Sequence, residues 1–193
     1  MDRVCVYAGS NVGTRSEYRD TAERLAVAIV GRGLGVVYGG ANVGLMKVVA
    51  DTALAHGGEV IGVMPDALIA REIGHPDLAE LRVVASMHER KALMADLSDG
   101  FVALPGGFGT IEELVEIATW AQLGLHTKPL GLLDAAGFYE PLIAFFDHAV
   151  TAGFLRPQHR DTLLVSDDPD ALLDAFAAWE PITVHKWIDR DQT

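Results

Sequence analysis

Three carboxylates, Glu112, Glu113 and Glu116, follow directly on a glycine-rich run, Pro105-Gly106-Gly107-Phe108-Gly109, with Thr110 between them. Bare glycine amides at the positive end of a helix receive an anion such as phosphate, because no Cβ holds the ligand off the backbone. A carboxylate offers different chemistry: it can take a proton from water, or stabilise positive charge developing at a reacting carbon. The two functions conflict, since negative charge at a helix start repels the anion. If both hold, at least one carboxylate points past the phosphate towards the sugar or base. A purely structural reading fits the same residues: Thr110-Ile111-Glu112-Glu113 has the form of a capping box, Thr110 as cap and Glu113 returning to its backbone N–H. The glycine spacing matches neither the Walker loop nor the dinucleotide fingerprint.

A second cluster is Ser86-Met87-His88-Glu89-Arg90-Lys91. Ser86 and Glu89 again form a capping box, and structure is the better reading for both. Arg90 and Lys91 are different, because cations in the first turns of a helix oppose its dipole at about 0.3–1 kcal/mol each. A facing carboxylate or a bound anion would compensate, and the Arg fork suits either. A solvated polar face is the alternative, more for Lys91 than for Arg90. Ser10 lies in a turn with no recognisable base beside it, so its hydroxyl reads as a phosphate contact. Trp120 reads as packing, and Asp134 as a turn residue or a pocket-facing carboxylate. The seven histidines show no HExxH or paired ligand spacing, and no catalytic metal is expected.

These residues need a scaffold, and the pattern supplies one. Strands are expected at Val4–Tyr7, Gly35–Tyr38, Glu59–Met64, Leu81–Ala85, 100–104, Pro129–Leu133 and Leu163–Val165. Helices are expected at Glu17–Gly31, Val43–Ala55 with Asn42 as cap, Met87–Asp96, Ile111–Leu123, Phe138–Ala152 and Pro169–Ala178. Alternation at these lengths predicts an α/β fold, a Rossmann-like doubly wound parallel sheet with helices on both faces, in a single domain. Ligands in such sheets bind beyond the carboxyl ends of the strands. Three strands end there in glycine turns, Gly9-Ser10, Gly39-Gly40 and Gly106-Gly107, which predicts a shared pocket lined by Gly9, Ser10, Gly40, Gly106 and Gly107.

The totals bound the function. The chain has 193 residues, half of them hydrophobic, which suits one domain over 1–180 and a C-terminal tail over 181–193. A net charge of −12 argues against a nucleic-acid partner, which needs clustered Lys and Arg. The single cysteine, Cys5, reads as a buried thiol rather than part of a disulfide framework. Met1-Asp2-Arg3-Val4 enters a strand without an apolar leader, and no run reaches membrane-spanning length, so a cytoplasmic protein is expected.

PGGFGTIEE at 105–113 and MHERK at 87–91 resemble the two signature motifs of the LOG ("lonely guy") family, cytokinin riboside 5′-monophosphate phosphoribohydrolases once often labelled lysine decarboxylases. The likeness extends through CVYAGSN at 5–11, VVYGGANVGLM at 36–46, VIGVMPDAL at 60–68, REIGH at 71–75 and TWAQLGLHTKPLGLL at 119–133. It implies a homodimer or dimer of dimers that hydrolyses the N-glycosidic bond of a nucleoside 5′-monophosphate, such as isopentenyladenosine monophosphate or AMP, without a cofactor. On matching positions it implies Arg90 and Glu113 as the catalytic pair. Gly106, Gly107, Gly109 and Thr110 would form the phosphate loop, with Glu72, Lys91, Glu112 and Thr119 lining the nucleotide. Two positions depart from the pattern: Ala41 and Lys47 stand where the family usually has glycine, which bears on substrate preference. A nucleotide or molybdenum-cofactor carrier of the same fold is the alternative, disfavoured by the presence of both Arg90 and Glu113. A pyridoxal-phosphate decarboxylase needs a Schiff-base lysine, and Lys47, Lys91, Lys128 and Lys186 show no setting for one.

Overall fold

The structure is a computed structural model describing residues 1–69 and 74–181. Its seven strands are β1 (Arg3–Tyr7), β2 (Gly35–Tyr38), β3 (Val60–Pro65), β4 (Glu80–Val84), β5 (Gly100–Ala103), β6 (Leu130–Leu133) and β7 (Leu163–Ser166). They form one parallel sheet in the order β4-β3-β2-β1-β5-β6-β7. The interior strands are near-continuous runs of Val, Ile and Leu rather than alternating ones, because both faces are covered. The edge strands β4 and β7 expose the most of their length, and β4 carries Glu80 and Arg82 there, which discourages further strand pairing.

The helices are α1 (Ser16–Gly31), α2 (Gly44–Ala55), α3 (Asp66–Ile69), α4 (Met87–Asp96), α5 (Phe108–Gln122), α6 (Glu140–Thr151), α7 (Pro157–Asp161) and α8 (Pro169–Ala177). Two cores result. On one face Val4, Val6, Val36 and Tyr38 meet α1, α2 and α8 through Leu25, Ile29, Val49 and Phe176. On the other, Cys5, Tyr7, Val37 and Val63 meet α4 and α5 through Met94, Leu114 and Ile117. Cys5 is a free, buried thiol. The chain passes from edge strand β4 to the middle of the sheet at β5, so the order reverses between β1 and β5. The loops after these two strands therefore diverge to opposite faces, which opens a crevice at their carboxyl ends.

Two expected caps are not formed. Helix α5 begins at Phe108, three residues before the expected start at Ile111, with Gly107 as an extended N-cap and no side-chain cap bond. Thr110 is thus inside the first turn and buried, and it does not cap. The reason is packing: Thr110 fills the space that a side chain at position 106 would occupy. Likewise α2 starts after Val43, not after an Asn42 cap. Gly44, at φ +58°, lets the helix start press against Ser10 and Asn11, where a Cβ would lie 2.2 Å from the Ser10 carbonyl carbon. The short α7 was not expected from the sequence pattern. By contrast the Ser86 cap is present: its hydroxyl accepts from Glu89 N at 3.1 Å, and the Glu89 carboxylate accepts from Ala85 N at 2.9 Å.

Candidate active site

The β1 and β5 loops touch directly. Gly9 N donates to Pro105 O at 3.1 Å, and Leu45 N at the start of α2 donates to Gly9 O at 2.9 Å. Above this crossing lies a cavity of about 200 Å³ walled by Gly9, Ser10, Tyr18, Gly106, Gly107 and Phe138. Phe138 is placed there by a turn in which the Asp134 carboxylate accepts from Tyr139 N at 2.6 Å and Tyr139 Oη donates to Leu104 O at 2.6 Å. Asp134 is therefore a turn residue. The first amides of α5 open beside this cavity without a side-chain cap, which leaves them available to an anion. The glycines differ in what they serve. A Cβ on Gly106 would meet Thr110 Oγ1 at 2.0 Å and Gly9 N at 3.0 Å, so the packing itself requires glycine. Gly107 and Gly109 face open space, and nothing among the described residues excludes a side chain there.

Arg90 and Glu113 meet on the α4–α5 face of the sheet, with Arg90 Nη1 3.8 Å from Glu113 Oε1. Their side chains are only 8% and 11% exposed. The guanidinium is anchored at the carboxyl ends of two strands: Nε donates to Val63 O at 3.0 Å and Nη2 to Gly39 O at 3.1 Å. A Cβ on Gly39 would lie 2.0 Å from Nη2, so the second glycine turn makes room for this arginine. Burial raises the Glu113 pKa to about 7, against the opposing pull of Arg90. A carboxyl poised there exchanges protons with water at neutral pH, as a general base must.

Lys91, one residue on, points elsewhere. Its side chain is buried, and its ammonium pairs with Glu112 and, at 2.9 Å, with Glu116. Burial would lower its pKa, but the two carboxylates reverse this and raise it. The alternative of a solvated face for Lys91 is overturned. The crowding of three glutamates is thereby resolved: two neutralise Lys91, and Glu113 turns inward to Arg90.

The expected pocket is divided. Gly9, Ser10, Gly106 and Gly107 share the cavity, with Gly109 and Thr110 on the adjoining turn. Gly40 is not part of that wall; it is buried at φ +78° against Leu81. Thr119 is exposed two turns beyond Glu112, its hydroxyl donating to Val115 O at 2.7 Å, and it borders an apolar groove with Phe145 and Phe146. Within one chain it does not join Arg90 and Glu113. Glu72 lies outside the described residues, as does the tail from 182 onward. Gly39 was expected as part of a shared glycine pocket rather than as the seat of Arg90, and Gly44 was not singled out. The paired glycines at a strand end were the available signal for Gly39; Gly44 carried none.

A family model described as "Possible lysine decarboxylase" matches residues 46–176. The chain is 48% identical, over 93% of its length and 79% of the relative, to a "Probable cytokinin riboside 5′-monophosphate phosphoribohydrolase", LOGL9, of Oryza sativa subsp. japonica. It is 44% identical, over 93% of its length and 84% of the relative, to the cytokinin riboside 5′-monophosphate phosphoribohydrolase LOG1 of Arabidopsis thaliana. The chain belongs to the LOG family. The molybdenum cofactor carrier protein of Chlamydomonas reinhardtii shares the fold, with a TM-score of 0.70 over 93% of this chain and 100% of that one, at 22% identity. The described lysines each have a partner within the protein. Lys47 is paired with Asp51, Lys91 with two glutamates, and Lys128 donates to Ala95 O.

Proposed function

We propose that this LOG-family chain hydrolyses the N-glycosidic bond of adenosine 5′-monophosphates, N6-prenylated ones and AMP, giving free base and ribose 5-phosphate. The observation that carries the reading is the buried Arg90–Glu113 pair, with Glu113 on the same helix whose glycine start opens on the cavity. Breaking the ribosyl–nitrogen bond passes through an oxocarbenium-like state, as in glycoside hydrolysis. The base leaves with the bonding electrons and takes a proton from solvent; water adds to the anomeric carbon and gives its proton to Glu113, which returns it to solvent, so that one water is consumed and the carboxylate is regenerated. The negative carboxylate also stabilises the cationic carbon as it develops. Arg90 keeps Glu113 oriented and lowers its pKa against burial. The amides of Gly107, Gly109 and Thr110, with Ser10, take the 5′-phosphate, which is remote from the broken bond and so contributes positioning. The paired Lys91 and Glu112 border the remainder of the nucleotide, whereas Thr119, on the Phe145 groove, would reach it only from a partner subunit. No cofactor is needed for this chemistry.

The test is chromatography of protein incubated with AMP and with isopentenyladenosine monophosphate. Free base and ribose 5-phosphate are the expected products. Tight binding of AMP with no base released would instead support a nucleotide or cofactor carrier. The rate should rise with pH through about 7 as Glu113 ionises. A rate that is flat across that range assigns the base elsewhere.

Two glycine variants separate packing from ligand contact. Gly107→Ala should leave stability within about 0.5 kcal/mol, since its site is open, yet raise KM about tenfold by holding phosphate off the amides. Gly106→Ala should lower both the melting temperature and phosphate affinity. An unchanged KM in Gly107→Ala would remove this turn from the phosphate site.

We infer a homodimer, or a dimer of dimers, formed across α5 and α6. Support comes from α6, an apolar helix with no buried residue, and from the adjoining groove of Val115, Phe145, Phe146 and Leu155. Sedimentation of a monomer at micromolar concentration would refute it. Among the described residues no helix is long and apolar enough to cross a membrane. The cytoplasm is the proposed place of action, and fractionation with membranes would oppose it.

A further inference from the structure

His75 takes no part in the chemistry above, yet its side chain is 1% exposed and fully committed. Nε2 lies 2.8 Å from Asp51 Oδ1, while Nδ1 accepts from Asp77 N at 3.3 Å. These partners assign the ring proton to Nε2, donating to the carboxylate. Asp51 sits on α2, and its other oxygen is held by Lys47 at 2.7 Å. Burial works to raise the Asp51 pKa, but the bonds from Lys47 and His75 outweigh it and the pKa is lowered, so the acceptor remains a carboxylate.

The backbone of His75 is where this pair acts. His75 N donates to Gly40 O at 3.0 Å, and Gly74 forms an isolated antiparallel bridge with Ala41. The preceding carbonyl, Gly39 O, is the one that holds Arg90 Nη2. Two successive carbonyls are thus engaged: one by the arginine, the next by the segment that Asp51 and His75 pin down. Glycines at 39 and 40 give this turn no side-chain restraint of its own, and Gly40 holds a left-handed φ of +78°.

We propose that His75, gripped by Asp51, is a positioning residue for Arg90: it clamps the Gly39-Gly40 turn and so fixes the aim of the guanidinium at Glu113. This rests on the reading of Arg90 and Glu113 as the catalytic pair. Loosening the turn lets Arg90 drift from Glu113 and weakens the larger of the two cationic influences, Arg90 and Lys91, that favour the ionised carboxyl. The other groups facing Glu113 stay in place: Lys91 on α4, Glu112 and Glu116 on α5, and Cys5 and Tyr7 on β1.

The experiment compares Asp51→Ala, His75→Ala and His75→Gln with wild type. The Gln amide can still donate to Asp51 from the Nε2 position. Two readouts are taken: kcat and KM with AMP, and the 13C titration of the Glu113 carboxyl, assigned by its loss in Glu113→Gln. Asp51→Ala and His75→Ala should lower kcat about tenfold with KM within about twofold, because orientation is lost and binding is not. The Glu113 midpoint should move up in both, and His75→Gln should recover most of each effect. Asp51 is on the exposed side of α2, so Asp51→Ala decides the matter if His75→Ala does not fold. An unmoved Glu113 midpoint in folded Asp51→Ala overturns the clamp, whether or not nucleotide is turned over. Wild type that releases no base while the midpoint still moves defeats the hydrolase reading and leaves the clamp standing.

Discussion

Glu113→Gln is expected to lower kcat about 10³-fold while leaving AMP binding within a few-fold, because the amide keeps the shape and loses the base. The same substitution should make the protein more stable at neutral and alkaline pH. Glu113 has its pKa raised from 4.5 to about 7 in the folded protein, chiefly by burial. Between these values the native state binds more protons than the unfolded one, so the group's contribution to stability falls as pH rises through that window. Above it the buried charge costs about 3 kcal/mol, an order-of-magnitude figure from the size of the shift. Glutamine removes that cost. Thermal melts at pH 5 and pH 8 are the measurement: the variant should gain several degrees at pH 8 and little at pH 5. Equal melting temperatures at pH 8, or retained turnover, would return Glu113 to a structural role.

The second large effect is expected from Arg90→Lys. Lysine keeps the charge but has one compact ammonium in place of a planar fork. It cannot donate to Val63 O, donate to Gly39 O and face Glu113 at once, as Arg90 does. At least one buried carbonyl loses its partner, a loss of about 1–3 kcal/mol of stability. kcat should fall about 10²-fold, with the acid limb of the pH–rate profile displaced. Wild-type kcat with an unmoved limb would show that charge alone suffices at this position. The Gly39 turn has the same geometry at stake, since any side chain there meets the guanidinium.

Much of this protein was legible in its residues. Alternating apolar runs and helical patterns led to a doubly wound parallel sheet, and that sheet is present. Strand β2 and helix α4 have the expected limits, because Gly35 and Ser86 mark their starts locally. Asp134 and Trp120 took the packing and turn roles expected of them. The two helix-start motifs were recognisable as chemistry because cations opposing a dipole and carboxylates beside a phosphate loop both require compensation.

Which partner supplied that compensation was not legible. Arg90 and Lys91 are neighbours in sequence, but successive helix residues diverge by roughly 100°. One therefore reaches over the carboxyl ends of β2 and β3, and the other runs along α5 to Glu112 and Glu116. The α5 capping box failed for a similar reason. Thr110 and Glu113 have cap-box spacing, but contact with Gly106 buries Thr110 and the helix starts on glycine. Asp51 and His75 lie on different elements, and no local pattern joins them. Local propensity and periodicity act within a turn or a strand, so the sequence could announce elements and charged groups. Pairing across the sheet depends on the order in which strands lie side by side, and that emerges only when the two cores pack.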